Sequence, residues 1–275
     1  MELFIDTSDP AVIKDFFDRK IISGVTTNPT TASKYIKENT SIKTVHELAI
    51  EIAEVVGKMP ISVEAVGCTH PYNPDDITAE RLYKESAEII NWNEETGANF
   101  WQKIPTIPQG IEAIARLVGD FGGGAKINAT LGFDFNQGIR AAEAGALVFS
   151  LFLGRMQAAG EDPIPVTEKI IEEYKKCELR TGFLAASMRT PELIIDSWKA
   201  DSDIVTAPPE VLEQLVKSYP AEFEKMISSH PAKRTLVPLV LPDSYSDEEF
   251  KHPLLQPGLE RFVADAAAAG YDILK

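Results

Sequence analysis

The feature that most constrains the fold of this sequence is a series of eight short apolar runs, each followed by a segment of helical periodicity. Buried parallel strands produce apolar runs of this length, and their alternation with helices predicts a parallel sheet. Eight such units within about 200 residues predict a (β/α)8 barrel, the TIM-barrel architecture of the α/β class. The runs lie at 3–5, 21–26, 61–66, 99–103, 125–130, 147–150, 183–187 and 203–206.

A doubly wound open sheet is the main alternative for the same alternation. That fold usually carries a glycine-rich phosphate loop after its first strand, and residues 6–9, Asp-Thr-Ser-Asp, do not form one. The three glycines at 122–124 precede a strand, so they predict a turn. The barrel is therefore favoured. The predicted helices include 42–56, 111–118 and 137–144, and a first helix with Ser8 or Asp9 as N-cap and Pro10 in its first turn.

We predict a single domain over 1–275, with the barrel at about 1–219 and a C-terminal helical extension at about 220–275. The third βα connection, 68–95, contains Pro71 and Pro74 before a helical stretch, so we expect an elaborated loop. The extension carries two predicted helices, near 221–228 and 259–269. A tail of this kind either covers one end of the barrel or mediates assembly, and the sequence is compatible with a homo-oligomer.

The charge balance limits the partners of this chain. A formal net charge of −15 argues against nucleic acid as a partner, because nucleic acid requires a basic face. An anionic substrate would need a local basic pocket, since the global field repels it. The N-terminus resembles no signal peptide, and no run approaches the roughly 18 apolar residues of a membrane span. We therefore expect a cytoplasmic protein with no membrane partner.

Cysteine and histidine give no sign of a metal site. Cys68 and Cys177 show neither metal nor redox spacing. The histidines at 46, 70, 230 and 252 form no ligand pair with one another or with a cysteine. We expect no metal and no cofactor.

One lysine, Lys103, closes the fourth apolar run, with a proline just beyond at Pro105. An ammonium group there must be paired, exposed in a cleft or neutralised. The structural alternative is a side chain that extends to water, whereas a neutral amine forms a Schiff base with a carbonyl. Strand ends build the active site of a barrel. The other polar residues at these ends are Asp6, Thr26, Thr27, Asn28, Glu64, Asn128, Thr130, Ser150, Arg155, Ser187 and Arg189.

Several stretches resemble the transaldolase family in its own order. They are Phe-Ile-Asp-Thr-Ser at 4–8, Gly-Val-Thr-Thr-Asn-Pro-Thr at 24–30, Gln-Lys-Ile-Pro at 102–105, Asn-Ala-Thr-Leu at 128–131, Ser-Leu-Phe-Leu-Gly-Arg at 150–155 and Ala-Ser-Met-Arg at 186–189. The resemblance covers residues 1 to about 210 and continues more weakly at 259–266. It implies a barrel enzyme that acts on small sugar phosphates without a cofactor.

The resemblance also implies roles for individual residues. Lys103 matches the Schiff-base lysine, and Asp6 matches the acid/base that acts on sugar hydroxyls. Glu64 and Thr130 match the pair that holds a water used in carbinolamine formation. Residues that match substrate contacts are Asn28 and Asn128 for the dihydroxyacetone portion, Ser150, and Arg155, Ser187 and Arg189 for the phosphate.

Two positions bear on the choice between transfer and release. Glu64 and Phe152 are the residues of transaldolases, where fructose-6-phosphate aldolases tend to carry glutamine and tyrosine. A tyrosine would supply a proton donor that favours release of free dihydroxyacetone. The expected reaction is transfer of dihydroxyacetone from fructose 6-phosphate or sedoheptulose 7-phosphate to an aldose phosphate. The alternatives are an aldolase that releases dihydroxyacetone and a non-catalytic sugar-phosphate-binding protein.

Overall fold

A computed structural model describes residues 1–39, 41–68, 73–228 and 250–274. Eight parallel strands close into a barrel in sequence order, and the last strand pairs with the first. This confirms the (β/α)8 barrel and excludes the open sheet. The strands are β1 Glu2–Asp6, β2 Gly24–Thr26, β3 Ile61–Glu64, β4 Phe100–Pro105, β5 Ile127–Gly132, β6 Val148–Leu151, β7 Gly182–Ala185 and β8 Ile204–Ala207.

The strand bounds differ from the predicted ones by up to three residues at either end. β2 begins only at Gly24, three residues later than the apolar run suggested. β4 does not end at Lys103 but continues to Pro105, which pairs with Thr130 of β5. The next residue, Thr106, donates its backbone N–H to the Thr130 carbonyl at 2.7 Å. The missing N–H of the proline therefore does not end the ladder.

Helices surround the barrel, and proline and cap residues set many of their starts. Asp9 is the N-cap of the first helix, as one of the two predicted candidates, and accepts hydrogen bonds from the N–H groups of Ala11 and Val12. The described helices are α1 Pro10–Asp18, α2 Pro29–Glu38, α3 Val45–Val56, α4 Ala79–Thr96, α5 Pro108–Phe121, α6 Phe135–Glu143, α7 Leu153–Ala158, α8 Ile164–Lys176, α9 Pro191–Lys199, α10 Pro209–Ser218, α11 Pro220–Ser228 and α12 Leu255–Ala269. Among the described residues, no helix is long and apolar enough to cross a membrane.

The third connection is long, as expected, because β3 ends at Glu64 and the next barrel helix, α4, begins only at Ala79. The helical stretch predicted within 68–95 is α4. The loop before it contains a 3-10 turn at Pro74–Asp76. Residues 69–72, which include His70 and Pro71, lie outside the described residues.

The C-terminal extension forms the two expected helices, α11 and α12. The segment between them, 229–249, lies outside the described residues, as does His230. α12 packs against α2, where the Ser33 hydroxyl donates to the Asp265 carbonyl at 2.7 Å and the Thr30 hydroxyl bonds the Asp265 carboxylate. These contacts place α12 over the carboxyl ends of the first strands.

Candidate active site

A cavity of about 230 Å³ opens at the carboxyl ends of the strands. Most of the predicted site residues line it, namely Asp6, Asn28, Lys103, Ser150, Phe152, Arg155, Ser187 and Arg189. The other lining residues are Thr26, Thr30, Thr31, Ala186, Thr206, Arg261 and Phe262. The predicted residues Glu64, Asn128 and Thr130 do not line the cavity, but they lie on the strands that flank Lys103.

Lys103 is buried, with 5% of its surface exposed. Its side chain therefore does not extend to water. The register of β3 and β4 sets Lys103 beside Glu64, and its Nζ lies 2.7 Å from Glu64 Oε2. Nζ also donates to the Thr27 carbonyl at 3.1 Å. Of the alternatives open to a buried lysine, the structure shows the paired one.

Asp6 lies at the end of β1 in a ring of polar partners. Its Oδ1 accepts hydrogen bonds from Thr26 Oγ1 at 3.3 Å and from Asn28 Nδ2 at 3.1 Å. Although the carboxylate faces the cavity, burial raises its pKa, and the Lys103 charge and the two hydrogen bonds only partly oppose this effect. A carboxyl group with a raised pKa is suited to both accepting and donating a proton near neutral pH.

The local fold sets the direction of the Asn28 side chain. Asn28 is the N-cap of α2, and its Oδ1 accepts from the Thr31 N–H at 3.0 Å. This capping bond turns the Nδ2 group towards Asp6. A residue that sequence alone would explain as a helix cap therefore also contributes to the site.

Glu64 is 2% exposed and carries the second carboxylate of the site. Burial raises its pKa, while the charge and hydrogen bond of Lys103 act in the opposite direction. The backbone carbonyl of Glu64 accepts a 2.7 Å hydrogen bond from the Tyr271 hydroxyl. The C-terminal segment is thus bonded directly to the strand end that carries the carboxylate.

A buried row of polar side chains from β3, β5 and β6 lies next to Lys103. Ser150 Oγ donates to Asn128 Oδ1 at 2.6 Å, and Asn128 Nδ2 donates to Ser62 Oγ at 3.1 Å. The Thr130 hydroxyl is buried and has no hydrogen-bond partner among the described residues. Buried hydroxyl groups are usually bonded, so Thr130 is a candidate contact for a bound molecule.

The cationic end of the cavity is formed by α7, which follows β6, and by the loop after β7. The Arg155 guanidinium lies 5.0 Å from the centre of the Phe152 ring, and burial lowers its pKa, followed by the charges of Arg261 and Arg189. Ser187 adopts a left-handed backbone with φ of 61°. A Cβ at Gly154 would lie 1.8 Å from the Ser187 carbonyl oxygen, so only glycine permits this close approach.

The contribution of the C-terminal helix was not predicted from the sequence. Arg261 and Phe262 of α12 line the cavity, and Tyr271 bonds Glu64 from just beyond the helix. The only signal in the sequence was the weak family resemblance at 259–266, which does not indicate where the helix lies in the fold. Thr206, at the end of β8, was also missed, and it shares a 2.6 Å hydrogen bond with Thr26.

The described residues contain no group of three or more His, Cys, Asp or Glu side chains that could hold a metal ion. Cys68 and Cys177 are free thiols, the first buried and the second exposed. The fold and the cavity define a barrel protein that sets a buried amine and two carboxylates beside an arginine-lined recess. This arrangement is suited to carbonyl chemistry on an anionic substrate.

The comparisons with known proteins agree with this class. The profile of the family "Transaldolase/Fructose-6-phosphate aldolase" matches residues 3–273, and the chain belongs to that family. The "Probable transaldolase" of Clostridium acetobutylicum is 36% identical over 265 residues, which cover 96% of this chain and 97% of the relative. The "Probable transaldolase" of a Ruegeria species is 30% identical over 274 residues, with 100% of both chains covered.

A solved structure also shares the fold. Thiamine phosphate pyrophosphorylase from Pyrococcus furiosus superposes with a TM-score of 0.51 over 82% of this chain and 97% of its own. Its sequence identity is 10%, so the similarity concerns the barrel architecture and not the reaction.

Proposed function

We propose that this protein is a transaldolase that transfers a dihydroxyacetone unit from a ketose phosphate to an aldose phosphate through a Schiff base on Lys103. The observation that carries this proposal is the buried Lys103–Glu64 pair, at 2.7 Å, in which Lys103 lines a cavity together with Asp6 and three arginines. Membership of the transaldolase/fructose-6-phosphate aldolase family supports it. The donor is fructose 6-phosphate or sedoheptulose 7-phosphate.

In the first step, Lys103 passes a proton to the paired Glu64. The neutral amine then attacks the ketone carbon of the donor, and an N–H proton moves to the former carbonyl oxygen to give a carbinolamine. Glu64, acting through a water held with Thr130, delivers the proton that lets hydroxide leave as water and gives the iminium. The raised pKa of Glu64 suits this proton transfer. The unpartnered Thr130 hydroxyl supports its assignment as the second contact of that water.

In the second step, Asp6 removes the proton from the C4 hydroxyl, and the C3–C4 bond breaks. The bonding electrons move into the iminium, which acts as the electron sink, and an aldose phosphate leaves. The three-carbon unit stays on Lys103 as an enamine until an aldose phosphate accepts it. The carboxylate of Asp6 lies within the cavity, and its raised pKa favours return of the proton in the reverse sense.

The remaining residues hold the substrate. Asn28 and Ser150 bind the hydroxyl groups of the dihydroxyacetone portion, and Asn128 positions Ser150 through their 2.6 Å hydrogen bond. Ser187 and the guanidinium groups of Arg155 and Arg189 bind the phosphate, which suits a chain whose overall charge repels anions. Fixing the phosphate at one end positions the C3–C4 bond near Asp6, and such positioning accounts for a large part of enzymatic rate.

Phe152 favours transfer over release. Its ring is 6% exposed and lines the cavity, so this wall offers no hydroxyl that could protonate the enamine. Without a proton donor at this place, the intermediate persists until an acceptor aldehyde binds. An aldolase that releases dihydroxyacetone would need a proton donor there.

A coupled assay tests the proposal. With fructose 6-phosphate and erythrose 4-phosphate, we expect sedoheptulose 7-phosphate and glyceraldehyde 3-phosphate to form together. Without the acceptor, we expect little free dihydroxyacetone, and the Lys103→Met variant should be inactive in both assays. Release of dihydroxyacetone at the rate of transfer would instead identify an aldolase. Binding of fructose 6-phosphate with neither reaction would identify a sugar-phosphate-binding protein.

A further inference from the structure

The C-terminal helix brings a third guanidinium to the cavity. Arg261 of α12 lines the same recess as Arg155 and Arg189. The neighbours of Arg261 hold this part of α12 in place, because Phe262 is buried and Asp265 is bonded to Thr30 and Ser33 of α2.

α12 also lies directly against Arg155. A Cβ at Gly258 would lie 2.9 Å from Arg155 Nη1 and 3.0 Å from Leu131 Cδ2, so the helix approaches the guanidinium more closely than most side chains permit. One turn further along, the ring of Phe262 lies 5.3 Å from the Arg155 guanidinium and 5.8 Å from Lys103 Nζ. The helix therefore reaches both the cationic end of the cavity and the amine.

The three guanidinium groups lack full compensation by the protein. Among the described residues, Arg155 and Arg189 have no ion pair and no hydrogen bond from their guanidinium groups. Arg261 Nε lies 3.7 Å from Asp265 Oδ2, beyond hydrogen-bond distance, and that carboxylate is bonded to Thr30. Burial is the main cause that lowers the pKa of Arg155, and the charge of Arg261 is the second. The two cations are therefore close enough to repel. An anion between them would relieve this repulsion.

We propose that Arg261 is a third ligand of the substrate phosphate, supplied by the C-terminal helix, and that it increases the preference for phosphorylated over unphosphorylated sugars. This inference rests on the proposed function for its substrate. A phosphate dianion has three terminal oxygens, which accept charge-assisted hydrogen bonds from several guanidinium groups at once. The Arg261 side chain is 62% exposed, so its share is smaller than that of the more buried Arg155.

The kinetic test compares Arg261→Ala with a matched control. Arg180 is an exposed arginine just before β7, at the opposite end of the barrel, so Arg180→Ala changes the net charge equally but leaves the cavity intact. For Arg261→Ala we expect the KM for fructose 6-phosphate to rise about five- to tenfold with kcat nearly unchanged. Borohydride trapping with unphosphorylated dihydroxyacetone should be unaffected. Arg261→Lys should recover part of the loss, because it restores the charge but not the planar fork.

Direct binding separates this inference from the proposed function. Calorimetric titration with fructose 6-phosphate and with inorganic phosphate requires no chemistry, and circular dichroism confirms that each variant is folded. Weaker binding of both ligands to Arg261→Ala than to Arg180→Ala supports a phosphate ligand, even if transfer were absent and the proposed function failed. A wild-type enzyme that transfers normally while Arg261→Ala binds both ligands as tightly as the control would overturn the inference alone. An equal loss of affinity for phosphorylated and unphosphorylated substrates would also overturn the inference.

Discussion

Replacing Asp6 by asparagine is predicted to abolish transfer while stabilising the fold. The amide keeps an oxygen that accepts the hydrogen bonds from Thr26 and Asn28, so the contacts are retained. It cannot take the proton from the substrate hydroxyl, and removal of a general base typically costs about 10²–10⁴-fold in rate. In the proposed mechanism, Asp6 acts after the Schiff base has formed. Trapping of dihydroxyacetone on Lys103 should therefore persist in this variant.

The effect on stability follows from the raised pKa of the Asp6 carboxyl. Burial outweighs the attraction to Lys103 and the two hydrogen bonds, so protonation of Asp6 is more favourable in the folded protein than in the unfolded chain. Each of these hydrogen bonds weakens by about 1 kcal/mol when its acceptor is neutral, which offsets part of the relief from burial. The remaining gain should be about 0.5–2 kcal/mol, the range common for single stabilising changes. It corresponds to a rise in Tm of roughly 2–4 °C per kcal/mol.

The raised pKa also predicts how the stability difference changes with pH. The unfolded carboxyl titrates near 3.8 and the folded one at a higher pKa. Between these values the folded wild type binds more protons than the unfolded chain, so its free energy of unfolding falls as pH rises. The Asp6→Asn variant has no carboxyl group to titrate at this position, so its free energy of unfolding does not fall in this way. The difference in free energy of unfolding between variant and wild type is therefore small at low pH and grows to a plateau above the folded pKa. Paired urea unfolding curves from about pH 4.5 to about pH 8.5 measure it.

Two results would refute this reasoning. One is a variant that is no more stable than the wild type at the upper end of the pH range. The other is a stability difference that does not change with pH. Either would mean that the Asp6 carboxylate is not held at an energetic cost in the folded protein.

Three further substitutions test other parts of the account. Phe152→Tyr should increase free dihydroxyacetone relative to transfer, by about tenfold in a coupled assay without acceptor, because it places a proton donor at the cavity wall; an unchanged ratio would contradict the role of Phe152. Arg155→Met should raise the KM for fructose 6-phosphate about 10–100-fold through lost charge-assisted hydrogen bonds, and an equal effect on trapping of dihydroxyacetone would count against a phosphate contact. Gly154→Ala should cost about 1–3 kcal/mol of stability in urea unfolding, because its Cβ would overlap the Ser187 carbonyl; a neutral substitution would show that α7 and the loop after β7 can separate.

The parts of the site on the strands were predictable from the sequence. Successive strands of such a barrel are neighbours, so Glu64, Lys103 and Asn128 were expected on adjacent strands once the barrel was inferred. The register that sets them side by side is a finding of the structure. The end of β4 was less accessible. A proline usually marks the end of a strand, but here the Thr106 N–H resumes the pairing beyond Pro105.

The contribution of α12 could not be read from its own sequence. Its apolar periodicity predicts a helix, but its place depends on tertiary contacts such as those from Thr30 and Ser33 to Asp265. For the same reason no role for Arg261 was predicted, since a surface arginine on a helix usually lies in solvent. Likewise, the sequence left several alternatives open for the Lys103 amine, and the 2.7 Å contact with Glu64 shows that it is buried and paired.

The most direct test of the proposed mechanism is chemical trapping of the intermediate. The wild-type protein is incubated with fructose 6-phosphate and borohydride, and the digested peptides are mapped by mass spectrometry, with Lys103→Met and a substrate-free sample as controls. We predict a reduced dihydroxyacetone adduct on Lys103, absent from both controls. A protein that carries no adduct, or carries it on another lysine, would contradict the assignment of Lys103 as the Schiff-base residue.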